Sequence, residues 1–340
     1  MQLQDILTRA LEGLAPTRDE VIQLLQYSEF SYEAGQIRAV SNFISRKRLD
    51  NHAFVYGQIG YSTAPCAGNC SFCVFAAGHS TFPVTEMTTE EVVTHARKFA
   101  SNGLIGNLWL MSMHKFDLER FIEILRAVRE AIPEHIRLSS NVGNLTREEA
   151  KRLKNEGLFG AYQSVRLREG IDTKLDREER IQSVRNIQDA GLSWGFCCEP
   201  IGPEHTPEEL ADHILFGMSM KPRFMSAMRR VYLSNSPIAD RGQITQLRLA
   251  QIVAVVSLVA VADPTIKIVG SHEPSLIGLT SGANNGCAES GANPRDEALE
   301  TSGKRGLTVD DLARMFYEAG FDGVIRADGS RVSLKDYYKT

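Results

Sequence analysis

From Ala53 onward the chain alternates short β-rich runs with amphipathic helices, and that alternation limits the folds open to it. Ala53-Phe54-Val55-Tyr56-Gly57-Gln58-Ile59 reads as a first strand. Further strands are predicted near 106–112, 135–141, 160–167, 193–199, 223–233 and 265–270. Helices are predicted near 89–102, 117–130, 147–157, 176–190, 207–218 and 243–262. Four helix starts carry a Thr-x-x-Glu box: Thr17/Glu20, Thr88/Glu91, Thr146/Glu149 and Thr206/Glu209. In such a box hydroxyl and carboxylate each satisfy a free backbone N–H. Pro207 suits a first helical position, and Gly157 and Gly191 mark helix stops. Successive strand–helix units imply parallel strands with right-handed crossovers. Seven or eight units in about 240 residues favour an α/β fold of the (β/α) TIM-barrel type, full or nearly full. No Gly-x-Gly-x-x-Gly or Walker loop follows a strand, which weakens the Rossmann and P-loop alternatives.

Residues 1–50 read as an N-terminal helical layer of three helices, near 3–14, 17–27 and 32–47. Residues 51–340 form the predicted barrel with a C-terminal closing segment. The stretch 281–296 is rich in small and turn-forming residues, and the following segment to Gly306 reads as a mobile loop. Thr308 and Asp311 cap a final helix.

Net charge is −4 with pI near 6.1, which gives no support to a nucleic-acid binder. The longest apolar run, 252–262, has 11 residues, too few to span a bilayer, and reads as a buried core helix. The opening Met1-Gln2-Leu3-Gln4-Asp5 leads into an amphipathic helix with acids, so a signal peptide is not expected there. Three of the six cysteines lie within eight residues, unlike the spread of a disulfide framework. Thiols used as metal ligands need a reducing compartment, so a cytoplasmic location is expected.

Those three are Cys66, Cys70 and Cys73, spaced C-x3-C-x2-C directly after the first strand. Three thiolates so close can hold three irons of a 4Fe–4S cube and leave the fourth open for chemistry. Gly68 is expected to allow a tight turn and Phe72 to shield a cluster from water. A zinc site is the alternative, but it wants a fourth ligand and commonly a second C-x2-C pair; only His79 is near.

With an aromatic residue before its last cysteine, this loop resembles the radical S-adenosylmethionine (SAM) superfamily. The resemblance implies a 4Fe–4S cluster on Cys66, Cys70 and Cys73, with SAM bound at the open iron. It implies one-electron cleavage of SAM to methionine and a 5′-deoxyadenosyl radical, which takes hydrogen from a substrate. The electron would come from a donor such as flavodoxin or ferredoxin.

The helical layer, strand spacing and late Gly-Ala-Asn are similar to the biotin synthase-like branch, which includes biotin synthase, the radical SAM maturase of FeFe-hydrogenase and methylornithine synthase. Within that frame, Glu169 at the end of the fourth strand and Arg180 in Asp176-Arg177-Glu178-Glu179-Arg180 are expected SAM contacts. Ser112 substitutes where many relatives carry Gly-Gly-Glu, and Ile201 is expected to pack on the adenine.

A second cluster of the biotin synthase kind is not expected. The matching strand ends offer Trp109 or Leu110, Ser139 or Ser140, and Phe196 next to Cys197, with Lys267 near the arginine position. Cys197, Cys198 and Cys287 are either small core residues or bind an extra metal, an intermediate or the substrate. Substrate-side candidates are His114, Ser140, Asn141, Tyr162, Gln163, Arg230, Tyr232, His272, Glu273, Asn284, Glu289, Asn293 and Arg295. Arg230 and Arg295 hint at an anionic small molecule. The expected activity is hydrogen abstraction followed by rearrangement, fragmentation or group transfer in cofactor or amino-acid biosynthesis. A sulfur insertase, a methyltransferase and a non-catalytic iron–sulfur protein remain alternatives.

Overall fold

Eight parallel strands close into a barrel in the computed structural model, which describes residues 2–337. They are β1 (His52–Gly60), β2 (Ile105–Met111), β3 (Arg137–Asn141), β4 (Gly160–Tyr162), β5 (Ser193–Ile201), β6 (Phe224–Arg229), β7 (Val269–His272) and β8 (Asn285–Gly291). Each pairs with the next, and β8 returns to β1 with Phe54 opposite Asn285 and Gly60 opposite Gly291. The expected barrel is therefore full.

The two-residue period of β1 explains its double role. Ala53, Val55 and Ile59 are buried against the surrounding helices, while Tyr56 and Gln58 face the barrel interior. The outer helices are α4 (Thr89–Ala100), α5 (Leu118–Ala131), α6 (Arg147–Asn155), α7 (Arg177–Asp189), α8 (Pro207–Ser219), α9 (Gln246–Val259), α10 (Leu276–Leu279) and α11 (Val309–Glu318). The four Thr-x-x-Glu boxes are formed, as is that of Thr308 and Asp311. Gly157 and Gly191 end their helices at φ of 88° and 73°.

The helical layer is α1 (Leu3–Leu11), α2 (Arg18–Gln26) and α3 (Tyr32–Arg48). It exists because α9 is apolar all round, with every residue from Leu249 to Val259 buried. Helices α2 and α3 cover its outer face. Gln251 inside α9 donates from Nε2 to the Leu24 and Tyr27 carbonyls at 3.1 and 2.8 Å, satisfying the loose end of α2. No helix of the described residues is long and apolar enough to cross a membrane.

Four elements differ from expectation. The fourth strand stops at Tyr162, and the sixth ends at Arg229. The seventh begins at Val269, so Lys267 precedes it at the opposite end of the barrel from the cysteine loop. The eighth strand, Asn285–Gly291, lies in the stretch expected to turn. Its small residues serve close packing: a Cβ on Gly286 would sit 2.6 Å from Leu312 of α11.

The expected mobile loop is pinned. Asp296 accepts from the Thr301 hydroxyl and the Arg305 N–H, and Glu300 accepts from the Gly291 N–H. After α11 a short pair not read from the sequence, β9 (Gly323–Ile325) and β10 (Arg331–Ser333), extends the sheet beside the start of β1.

Candidate active site

The cysteine loop leaves the C-terminal end of β1, where barrel enzymes gather their reactive groups. Its shape comes from tight internal bonding. The Cys66 N–H donates to the Phe75 carbonyl at 2.7 Å, and the Cys73 N–H donates to the Cys70 carbonyl at 3.1 Å. Asn69, not Gly68, takes the left-handed conformation (φ 45°), and its side chain accepts from the Gly78 N–H at 2.7 Å. Gly68 instead gives room: a Cβ there would lie 3.2 Å from Leu175.

Neighbouring loops clamp this loop. The Ser71 N–H donates to the Asp172 carbonyl at 2.9 Å, and the Val74 N–H donates to the Pro294 carbonyl at 3.1 Å. The Ser236 hydroxyl donates to the Ser71 carbonyl at 2.6 Å. Val74, Phe75, Met113, Leu233 and Ala292 form a small apolar core of their own beneath it.

Cys66, Cys70 and Cys73 all face one cavity, of about 200 Å³, inside the barrel mouth. Burial pushes the Cys70 thiol up, and the Cys73 thiol up to about 12. Neutral thiols in an apolar setting fit a site that becomes ionised only against bound cations. Among the described residues, no three His, Cys, Asp or Glu groups converge as one metal ion requires. A cube makes no such demand, since each thiolate meets a different iron. His79 is not aimed at the thiols; its Nε2 contacts the Cys73 carbonyl at 2.9 Å.

Beside the cysteines stand two arginines. Arg180, on α7, has Nε on the Ser164 carbonyl at 2.9 Å and Nη1 on Asn144 Oδ1 at 3.2 Å. Burial, reinforced by the charge of Arg166, lowers it to about 10. Arg166 was missed from the sequence, although it lies in the same short run as Glu169. Burial opposes its charge, but Cys70, Glu199 and Glu169 outweigh that and hold its pKa above the ordinary value. Its guanidinium carbon sits 5.8 Å from the Phe72 ring centre, and its Nε sits 3.5 Å from Glu199 Oε1. Period-two alternation beyond Tyr162, carrying Ser164 and Arg166 inward, was the signal that could have found it.

The other expected SAM contacts divide. Phe72 and Ser112 line the cavity, and the Ser112 hydroxyl lies 2.8 Å from that of Ser62. Glu169 lies behind the wall. Its Oε2 accepts from the Arg166 N–H and its Oε1 from the Thr173 hydroxyl, each at 2.9 Å, with Arg180 at 3.7 Å. Ile201 belongs to the main core between strand and helix and does not line the cavity.

Across the cavity the groups come from later strands. Arg295 grips Glu289 with Nη2 at 2.7 and 2.9 Å, while its buried Nη1 has no partner among the described residues. Burial would lower its pKa, but Glu289 and Glu273 keep it raised and charged. Gln58 bridges Asn141 at 2.9 Å and Glu289 at 3.3 Å. His272 is lowered to about 4 by burial, with Arg295 adding to the effect. Glu199, Tyr162, Glu273 and Cys287 complete this side, and His114 stands nearer the arginines.

Arg230, expected here, is buried elsewhere with both terminal nitrogens on Glu204, at 2.5 and 3.0 Å. Ser140, Gln163, Tyr232, Asn284 and Asn293 do not line the cavity either. Cys197 and Cys198 are core residues with raised pKa values caused by burial.

The floor is three rings, Tyr56, Trp109 and Phe224, with centres 6.2–6.5 Å apart. Phe224 can lie there because Gly195 has no Cβ; one would sit 2.0 Å from its ring.

Comparison with known proteins gives this site its family. The model for the radical SAM superfamily matches residues 61–217, which begin just before the cysteine loop. Residues 61–217 are thereby assigned as a radical SAM domain. Its cofactors are accordingly a 4Fe–4S cluster and SAM. Among similar radical SAM proteins, the biotin synthase of Anaplasma marginale (strain Florida) is 25% identical over 288 residues, covering 79% of this chain and 85% of that one. The biotin synthase of Hyphomonas neptunium is 27% identical over 214 residues, covering 59% and 65%. The fold is shared with methylornithine synthase (PylB), at a TM-score of 0.80 and 15% identity over 98% of each chain. It is also shared with the FeFe-hydrogenase maturase HydG from Carboxydothermus hydrogenoformans, at 0.77 and 15%, covering 94% of this chain and 78% of that one.

Proposed function

We propose that this radical SAM enzyme abstracts hydrogen from a small anionic metabolite in cofactor or amino-acid biosynthesis, leading to rearrangement, fragmentation or group transfer. Cys66, Cys70 and Cys73 would hold the cluster, and Arg180, Arg166 and Ser112 are the groups placed to receive the polar end of SAM. When bound, that pair supplies a 5′-deoxyadenosyl radical by one-electron reductive cleavage. Phe72 and the apolar cluster under the loop keep water from the cysteines. Reduced flavodoxin or ferredoxin, in a reducing cytoplasm, is the proposed electron source.

The observation that carries the substrate reading is Arg295 Nη1. It is a buried cationic donor without a partner among the described residues, carried by a side chain that lines the same cavity as the cysteines. A buried donor left unsatisfied is costly, and a carboxylate or phosphate oxygen would satisfy it. The aromatic floor and the Gln58–Asn141 bridge would hold the rest of a small molecule between Arg295 and the cysteines.

The relatives' names favour a sulfur insertase as the second reading. Its donors are poorly provided: Cys197 is buried beside Ser226 and Tyr162, and Lys267 lies at the opposite mouth. The test is anaerobic reconstitution with dithionite, SAM and pools of carboxylated and phosphorylated metabolites, scoring 5′-deoxyadenosine. A pool that raises its formation identifies the substrate. Formation equal with and without every pool, for wild type and Arg295→Gln alike, counts against an anionic substrate.

A further inference from the structure

Below the aromatic floor lies a second cavity, of about 530 Å³, opening at the N-terminal end of the barrel. Four cationic side chains line it: Arg137 at the start of β3, Arg223 before β6, Lys267 before β7 and Arg326 after β9. Among the described residues, none of the four has a carboxylate within salt-bridge distance, although the chain as a whole is acidic. Arg137 packs 4.2 Å over Phe159 and donates to the Ala327 carbonyl at 3.0 Å. Arg326 donates to the Gly103 carbonyl at 2.5 Å and to the Ser330 hydroxyl at 3.5 Å. The acids whose fields reach this mouth, Asp263 and Asp328, are held by Thr265 and Ser330.

Four like charges around one opening repel each other; Arg223 already lowers the pKa of Arg137, after burial. Such convergence is unfavourable unless a counter-charge enters. Elsewhere the fold neutralises its inward-facing arginines, as Arg230 with Glu204 and Arg295 with Glu289. Buried polar groups, Asn107 and Ser139, and the backbone at Gly106 and Gly160 add hydrogen-bonding capacity to the lower wall. We propose that this lower cavity is a second ligand site, for a multiply charged oxyanion, separated from the catalytic cavity by Tyr56, Trp109 and Phe224. Guanidinium forks suit the planar carboxylate and the phosphate edge alike. Barrel chemistry gathers at the other mouth, so this site binds and does not catalyse.

Arg223 and Lys267 make the cleanest test, since among the described residues neither side chain has a hydrogen-bond acceptor. The reconstituted holoenzyme is titrated with inorganic phosphate in one arm and citrate in the other, by calorimetry. Trp109 fluorescence is followed in parallel in a Trp194→Phe background, which leaves it as the sole indole. Binding of at least one anion below about 10 mM is expected, with a change in Trp109 emission, and the better anion names the class. The R223Q/K267Q variant should weaken that binding at least ~10-fold, and R223K/K267R should hold it within about threefold, both with wild-type 5′-deoxyadenosine formation. The proposal is overturned if neither anion binds in that range, or if R223Q/K267Q binds as wild type does. Loss of the same binding in Arg295→Gln but not in R223Q/K267Q would move the anion to the catalytic cavity and overturn it too.

Discussion

The cysteine side of the catalytic cavity draws most of its groups from three short segments, 66–75, 112–114 and 164–180, whereas the side facing it is assembled around the ends of β4, β5, β6, β7 and β8. The charges divide as well. Arg166 and Arg180 face the cavity on the cysteine side, where Glu169 is turned away into the wall. Of the three carboxylates that line the cavity, Glu273 and Glu289 stand on the far side with Arg295, while Glu199 reaches Arg166, 3.5 Å from its Nε. On the proposed reading, the near side receives the anionic end of the cofactor. The far side is a network in which one cation serves a carboxylate and keeps a donor in reserve.

That division is most open to attack through the cysteines. Cys73→Ala should cut iron from about four per chain to below one and lower 5′-deoxyadenosine formation by more than ~10³-fold. Four irons retained with normal cleavage would break the assignment of the near side. The arginines then separate the two sides. Arg295→Gln should raise the substrate KM about 100-fold while substrate-free SAM cleavage stays within about twofold; Arg180→Gln should weaken SAM and slow that cleavage about tenfold. The reverse pattern would mean that the sides have been exchanged.

How each side is built explains what could be read in advance. C-x3-C-x2-C after a strand is local, so the near side was legible, and so was the barrel, because caps and alternation are local too. Arg166 escaped since inward-facing alternation continues past the point where β4 stops pairing. The far side depends on which end of a strand a residue occupies, and small errors there are fatal. Starting β7 near 265 puts Lys267 within the strand; starting it at Val269 puts Lys267 at the other mouth. Arg230 looked like a substrate cation because nothing in the sequence announces that Glu204 faces it from across a loop. The glycines of β8 looked like turn residues because close helix packing and turning both select against a side chain.

The floor joins the two sides and tests whether the cavity is a chamber with its own bottom. Trp109→Ala removes one of three touching rings from a buried site and should destabilise the fold by about 3 kcal/mol in urea denaturation. A loss under about 1 kcal/mol would mean that the rings line open space instead of closing it.

His272 gives the sharpest separation in pH. It stands on the far side, facing Arg295, Glu199 and Glu273, with the Tyr162 ring centre 6.4 Å away. Burial lowers its folded-state pKa to about 4, from an ordinary value near 6.5 in the unfolded chain. Between those values the unfolded chain binds the extra proton, so this contribution to stability is fully present above about pH 6.5 and is lost as pH falls toward about 4. The slope is at most about 1.4 kcal/mol per pH unit, and less to the extent that water reaches the ring. Urea midpoints at several pH values in that window should therefore fall for the wild type, and fall less steeply for His272→Gln. Equal slopes for the two proteins would place the ring in contact with water and leave the far side open where the near side is closed.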